Sequence, residues 1–236
     1  MKTLLASLLL ALLPFTASAA DAVPKTPKPM KIGIIGTGNI GGALARHWGA
    51  AGHELLISSR HPEQLRALAK EIGPNVKVGT PREAAAFGDV VMLAVPYGAL
   101  PQVGVDFAAE LKDKVVLDAA NPYPSRDGDM AVRDRQRGTG VAVKEYLPGV
   151  RLVRAFNAIN ADPLAREAFR KPERIGIPLA ADDPAAMKIA EQLVRDAGFD
   201  PVQVGKLSRA REFDFGTPVY VSSMTAAELR KALRLD

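Results

Sequence analysis

Residues 31–60 constrain this chain more than any other stretch. They open with a short apolar run, residues 32–35, that reads as a buried parallel strand. Gly36-Thr37-Gly38-Asn39-Ile40-Gly41 follows, a complete G-x-G-x-x-G. Ile40, Leu44, Ala45 and Trp48 then recur at helical spacing. Gly52-His53 ends that helix, and residues 54–57 start a second strand. Strand, glycine turn, helix and strand in so short a span specify a βαβ unit.

The three glycines answer three geometric demands. Gly36 lets the chain turn sharply out of the strand, Gly38 keeps a side chain away from a pyrophosphate, and Gly41 lets the helix pack close to the strand. The helix N-terminus offers unpaired N–H groups and a partial positive charge to phosphates. Gly36, Thr37, Gly38, Asn39 and Ile40 are therefore candidate cofactor contacts; the alternative is a purely structural glycine turn. The end of the second strand selects the nucleotide. NAD sites carry Asp or Glu about 20 residues beyond the first glycine, accepting hydrogen bonds from the ribose. Here Ser58-Ser59-Arg60-His61 stands there without an acid. Hydroxyls and a guanidinium suit a 2′-phosphate, which a carboxylate would repel. The expected cofactor is NADP(H), with Ser58, Ser59 and Arg60 selecting it. For Arg60 the alternative is an ordinary solvated charge.

Downstream, apolar runs alternate with helical segments. A helix runs from Pro62 toward Ile72, and residues 76–78 form a strand. Thr80-Pro81-Arg82-Glu83 opens a helix with a capping box and proline at its first position. Residues 89–95 are a fourth strand, 100–111 a helix and 115–118 a fifth strand. Residues 125–138 are polar without an apolar period and are expected to form a mobile loop. Residues 139–147 read as helix and 152–156 as a sixth strand. Residues 175–180, a helix capped by Asp183, and residues 201–204 extend the same sheet. Thr225 repeats the capping box ahead of a short terminal helix. The alternation predicts an α/β fold, a Rossmann-type doubly wound, mainly parallel sheet forming a single domain over residues 31–207, with a tail over 208–236. Right-handed crossovers bring the strand ends to one rim, where ligands bind. Val95, Pro96 and Tyr97 follow the fourth strand and Asn121 the fifth. Asn121 reads equally as a cofactor contact or a turn former, and Tyr97 as a stacking or a packing residue.

The 236 residues are 47% hydrophobic and 24% charged, with a formal net charge of +5. The densest basic cluster, Arg133, Arg135 and Arg137, is interrupted by Asp134 and carries no aromatic, so a solvated surface is expected there and no nucleic-acid face. The chain has no cysteine, which excludes disulfides, thiolate catalysis and cysteine-ligated zinc. Its three histidines, His47, His53 and His61, show no metal-ligand spacing, and no metal is expected. Residues 1–19 carry a basic start at Lys2, an apolar core too short to span a bilayer comfortably, Pro14, and the small residues Ala17-Ser18-Ala19. This is the pattern of a cleavable export signal; the alternative is an uncleaved membrane anchor. Residues 20–30, rich in proline and lysine, read as a spacer. An exported, periplasmic protein with no membrane span in its mature chain is expected.

Several segments together carry a family resemblance: residues 36–41, Ser58-Ser59-Arg60, Ala94-Val95-Pro96, the run ending Arg154-Ala155-Phe156-Asn157, and Ala181-Asp182-Asp183-Pro184. They resemble the NADPH-dependent deazaflavin reductases, and also the soluble NADPH domain of the six-transmembrane metalloreductases. The resemblance covers residues 31–207. It implies that Ser59 and Arg60 contact the 2′-phosphate and that residues 36–40 cradle the pyrophosphate. It also implies that Val95, Pro96, Tyr97, Asn121 and Asn157 lie near the nicotinamide. Two departures stand out. Gln64 lies near a position where the family can carry a lysine, and the charged tail differs from the apolar C-terminal part that helps form the family's acceptor pocket.

The chemistry implied is hydride transfer, in which the protein supplies placement and exclusion of water. Two classes of function follow. One is a reductase passing hydride to a deazaflavin, a flavin or a flavin-linked metal acceptor. The other is a non-catalytic exported NADP(H)-binding protein or partner subunit, which export favours, since extracytoplasmic spaces are not expected to hold NADPH. An open apolar cleft at the nicotinamide position speaks for the first and a filled one for the second. A homodimer is compatible with either.

Overall fold

A computed structural model describes residues 28–235. The export signal and most of the spacer read from the sequence lie outside the described residues.

The apolar runs become strands because both of their faces are covered. Six are mutually parallel: β1 (Lys31–Ile35), β2 (Glu54–Ser58), β3 (Val76–Gly79), β4 (Val90–Leu93), β5 (Val115–Asp118) and β6 (Arg151–Arg154). Every residue of β4 and β5 is buried, as expected of central parallel strands between helical layers. β7 (Gly176–Ala181) runs antiparallel to β6, and β8 (Asp200–Gly205) is parallel to β7. The sheet order is β3-β2-β1-β4-β5-β6-β7-β8. The chain reverses its direction of growth between β1 and β4, and that crevice is where such sheets bind ligands.

The helices are α1 (Asn39–Ala50), α2 (Arg66–Ile72), α3 (Pro81–Phe87), α4 (Leu100–Asp106), α5 (Ala108–Leu111), α6 (Pro124–Arg137), α7 (Thr139–Tyr146), α8 (Ala161–Arg166), α9 (Pro184–Asp196) and α10 (Ala226–Ala232). One face of the sheet packs against α1 and α9, where Trp48 donates to the Leu193 carbonyl at 2.8 Å. The other face packs against α3, α4 and α7 through Ala84, Leu100, Val103 and Val143. The tail folds back onto β7 and β8 through Phe213, Val219 and Leu229. Thr80 and Thr225 close complete capping boxes, and the Asp183 carboxylate accepts from the Ala185 and Ala186 amides. Among the described residues no helix is long and apolar enough to cross a membrane.

Two segments differ from the sequence expectation. Residues 125–138 are no mobile loop: they form α6, kinked at Gly128, where φ is +59°. The helix lacks an apolar period because its inward face is partly polar. Asp134, fully buried, accepts hydrogen bonds from the Tyr97 and Tyr146 hydroxyls and from Arg133, so a carboxylate stands where hydropathy looks for a leucine. Residues 100–111 break at Phe107 into α4 and α5.

Candidate functional site

The register that aligns Ile35 with Ser58 and with Leu93 brings three strand ends to one level. Gly36 turns away from them at φ +93°, and a Cβ there would lie 2.6 Å from the Ala94 carbonyl oxygen. Its amide donates to the Ser58 carbonyl at 3.2 Å, and the Thr37 hydroxyl donates to the same oxygen at 3.0 Å. A Cβ on Gly41 would meet the Gly36 oxygen at 2.1 Å, so helix and turn touch backbone to backbone. Gly38 is the contrast: a Cβ there would meet nothing within 4 Å. α1 starts beside it with no side-chain cap and no acidic residue in its first turn. Its first N–H groups and dipole are therefore left for an external anion, and the space beside Gly38 fits a pyrophosphate.

At the tip of β2 the three selectivity candidates part ways. Arg60 is exposed and has no ion-pair or hydrogen-bond partner among the described residues. The Ser59 oxygen accepts from the His61 amide at 3.0 Å and keeps its own proton to donate. Ser58 is a correction: it is fully buried, and its hydroxyl donates to the Ile34 carbonyl at 2.8 Å, bracing the strand pair instead of reaching a phosphate.

Along the rim lies an open cleft of about 360 Å³. Asn39 and Ile40 line it from α1, Val95 and Pro96 from the end of β4, and Asn121 from the end of β5. Phe156 and Ile159 line it from beyond β6. Phe156 sits at φ +61°, a conformation costly for a bulky side chain. It is held there edge-on to Trp48, with ring centres 6.0 Å apart. The Asn121 amide nitrogen donates to the Asn157 carbonyl at 2.8 Å, tying the loop after β5 to the loop after β6. The Asn121 side-chain oxygen is buried without a partner. Such an orphan acceptor at a cleft wall suits a ligand amide.

The model of the family described as "NADP oxidoreductase coenzyme F420-dependent" matches residues 31–122. The F420-dependent NADP reductase of Methanothermobacter thermautotrophicus is 30% identical over 217 residues, covering 86% of this chain and 93% of that protein. The chain belongs to the coenzyme F420-dependent NADP oxidoreductase family. It is an NADP-dependent oxidoreductase. Among other relatives, Metalloreductase STEAP3 of Rattus norvegicus is 26% identical, over 84% of this chain and 38% of that longer protein. The crystal structure of the hypothetical protein SMa0349 from Sinorhizobium meliloti superposes with a TM-score of 0.73 at 28% identity, over 84% of this chain and 96% of that one.

Two further candidates are turned away from this oxidoreductase's cleft. Tyr97 is fully buried and donates to Asp134 at 3.1 Å; it packs and does not stack. Burial, helped by the Asp134 charge, pushes its hydroxyl pKa above the ordinary tyrosine value. The Asn157 side chain is buried and points at Asp214, 3.4 Å away; its main-chain carbonyl alone meets Asn121. Behind Asn157 lies Arg154, fully buried, paired with Asp118 and, at 3.1 Å, with Asp214. It also donates to the Ala120 carbonyl at 2.8 Å. Burial opposes the Arg154 charge, but the two carboxylates hold its pKa above the usual value.

Of the cleft residues, Tyr123 stands on the segment after the fifth strand that sequence reasoning brings to the rim, whereas Arg126 and Tyr220 were missed. The Tyr123 and Tyr220 hydroxyls lie 2.6 Å apart, and the Arg126 guanidinium sits 5.0 Å over the Tyr123 ring. Burial, and then the bond to Tyr123, push the Tyr220 pKa above its ordinary value. Arg126 stands in the polar run read as a loop, and Tyr220 in a segment without a period, so neither carries a local signal.

Proposed function

We propose that this protein transfers hydride between NADP(H) and a planar acceptor, either a deazaflavin, a flavin or a flavin-linked metal centre. The observation that carries the reading is the open cleft beside the glycine turn, walled by both apolar and polar side chains, with the orphan Asn121 oxygen in its wall. A non-catalytic binder has no need of an empty space facing the nicotinamide position. A deazaflavin is favoured among acceptors by the name of the relative that matches nearly end to end.

The bound nicotinamide supplies the hydride. The chain's own residues hold and screen it. The first amides of α1 hold the pyrophosphate, and Ser59 and Arg60 hold the 2′-phosphate by charge-assisted bonds. Asn121 accepts from the carboxamide and so sets the ring's orientation. Ile40, Val95, Pro96, Phe156 and Ile159 exclude water around the transfer. Tyr123 and Tyr220 present flat faces and hydroxyls to the acceptor. We further propose export through residues 1–19, with cleavage after Ala19; N-terminal sequencing of the periplasmic form tests it.

The experiment is a titration of the mature protein with NADPH and NADH, followed by NADPH absorbance in the presence of a deazaflavin, a flavin and a ferric chelate. Tight NADPH binding with oxidation by one of them is expected. Tight binding without oxidation by any acceptor overturns the enzymatic reading in favour of a binding protein.

A further inference from the structure

A second cavity of about 360 Å³ is lined by α6, α7 and the tail. Phe215 lines it, and the same ring stands edge-on to Tyr123 at 5.0 Å and to Tyr220 at 5.4 Å, the two tyrosines of the cleft wall. One aromatic ring thus touches the walls of both spaces.

The second cavity is lined by two guanidiniums, Arg135 of α6 and Arg211 of the 3-10 turn Leu207–Glu212. Neither has an ion-pair partner among the described residues. The neighbours of Arg135 on its helix do: Arg133 and Arg137 both reach Asp134, and Arg126 reaches Asp127. Arg135 instead sits over the Phe215 ring, with its guanidinium carbon 4.6 Å from the ring centre. Such a contact fixes a guanidinium without neutralising it. Thr139 is fully buried, lines the same cavity, and its hydroxyl has no partner. One carboxylate, Asp214, is in the wall, but its oxygens are taken by Arg154, Asn157 and the Thr139 amide. Counting Asp118 behind it and the Arg209–Glu212 pair, whose carboxylate also feels Arg211, four guanidiniums face three carboxylates, so the region is net positive. The spacing is also rigid. A Cβ on Gly140 would lie 2.6 Å from the Leu207 carbonyl oxygen, so α7 seats directly on the turn that carries Arg211.

We infer that this cavity is an anion site, built by Arg135, Arg211 and the Thr139 hydroxyl to take a carboxylate or phosphate group. The group has two possible sources. One is a free small anion. The other is an anionic extension of the acceptor, reaching past Phe215 from the cleft; that source rests on the function proposed above, whereas the site itself does not.

The test uses the mature chain saturated with NADP+, so that phosphate sites at α1 and Arg60 are filled. Inorganic phosphate and citrate are titrated at constant ionic strength by calorimetry. Saturable binding is expected, weakened about tenfold or more in R135Q/R211Q and severalfold in T139V, the loss of charged and neutral hydrogen bonds respectively. If NADP+ itself fails to bind, the same titration runs on the free protein. The difference between wild type and R135Q/R211Q is then the readout, so the two ideas fail separately. Absence of saturable binding, or equal affinity in wild type and both variants, overturns the site. Should R135Q/R211Q unfold, R211Q and T139V carry the comparison. A second arm separates the sources. A KM increase in R135Q/R211Q limited to acceptors with an anionic extension assigns the site to the acceptor; unchanged KM for all acceptors, with phosphate binding lost, assigns it to a free anion.

Discussion

At the first βα corner the surface is made by leaving side chains out. Gly36, Gly38 and Gly41 bare the backbone, α1 begins without a cap, and the strand tip offers one free guanidinium. At the far wall of the same cleft the surface is made by side chains that meet from a distance. Arg154 joins Asp118, 36 residues away, and Asp214, 60 away; Tyr123 meets Tyr220 across 97 residues. The first region is shaped by local backbone geometry. The second positions loops through buried charge, and it depends on the whole sheet being folded first.

Breaking the far wall should have the largest effect. Arg154→Met leaves Asp118 and Asp214 facing each other in the interior without their cation. Removing one partner of a buried pair costs about 3–5 kcal/mol, which for a domain of this size lowers Tm by roughly 10 °C. R154M combined with D118N and D214N should recover much of that loss, because no charge is then left unpaired. Equal denaturant midpoints for wild type and R154M would show that the buried network does not clamp the wall.

At the corner the effect should fall on binding instead. Arg60→Ala removes a charge-assisted bond worth about 1.5–3 kcal/mol, or about 10- to 100-fold in the Kd for NADPH. Affinity for NADH, which lacks the extra phosphate, and Tm should both stay near the wild-type values. Parallel loss for both nucleotides would remove Arg60 from the selectivity role.

The two glycines divide the corner further. Gly41→Ala drives a Cβ into the Gly36 oxygen and should cost about 1–3 kcal/mol of stability through overpacking. Gly38→Ala meets no protein atom, so its Tm should hold while NADPH affinity falls. If both variants lose stability alike, Gly38 is a structural glycine and the pyrophosphate reading is wrong there.

This division explains what the sequence made legible. Turn glycines, capping boxes and alternating strands are encoded within a few residues, so the sheet and the geometry of the glycine turn could be read directly. Ser58 failed because register decides whether a strand-end hydroxyl faces the Ile34 carbonyl or a ligand. α6 failed because its inward carboxylate is satisfied by tyrosines from two other segments. Tyr220 and Phe215 failed because no local pattern says that a tail without a period will fold back against the cleft.

The smallest effect concerns Tyr97, which the structure moves from the cleft into the core. Tyr97→Phe removes one hydrogen bond to Asp134, which keeps those from Tyr146 and Arg133; about 1 kcal/mol at pH 7 is expected, with NADPH affinity unchanged. The pH dependence gives the sharper reading. Burial, and the Asp134 charge beside it, raise the folded hydroxyl pKa above its ordinary value of 10.0. A raised folded pKa means that the folded state binds the proton more tightly than the unfolded chain. The stabilisation is therefore complete below pH 10 and declines as pH climbs beyond it. Wild type should lose stability above pH 10 more steeply than Y97F in denaturant titrations. Identical slopes would place the Tyr97 hydroxyl in contact with solvent and reopen its place at the cleft.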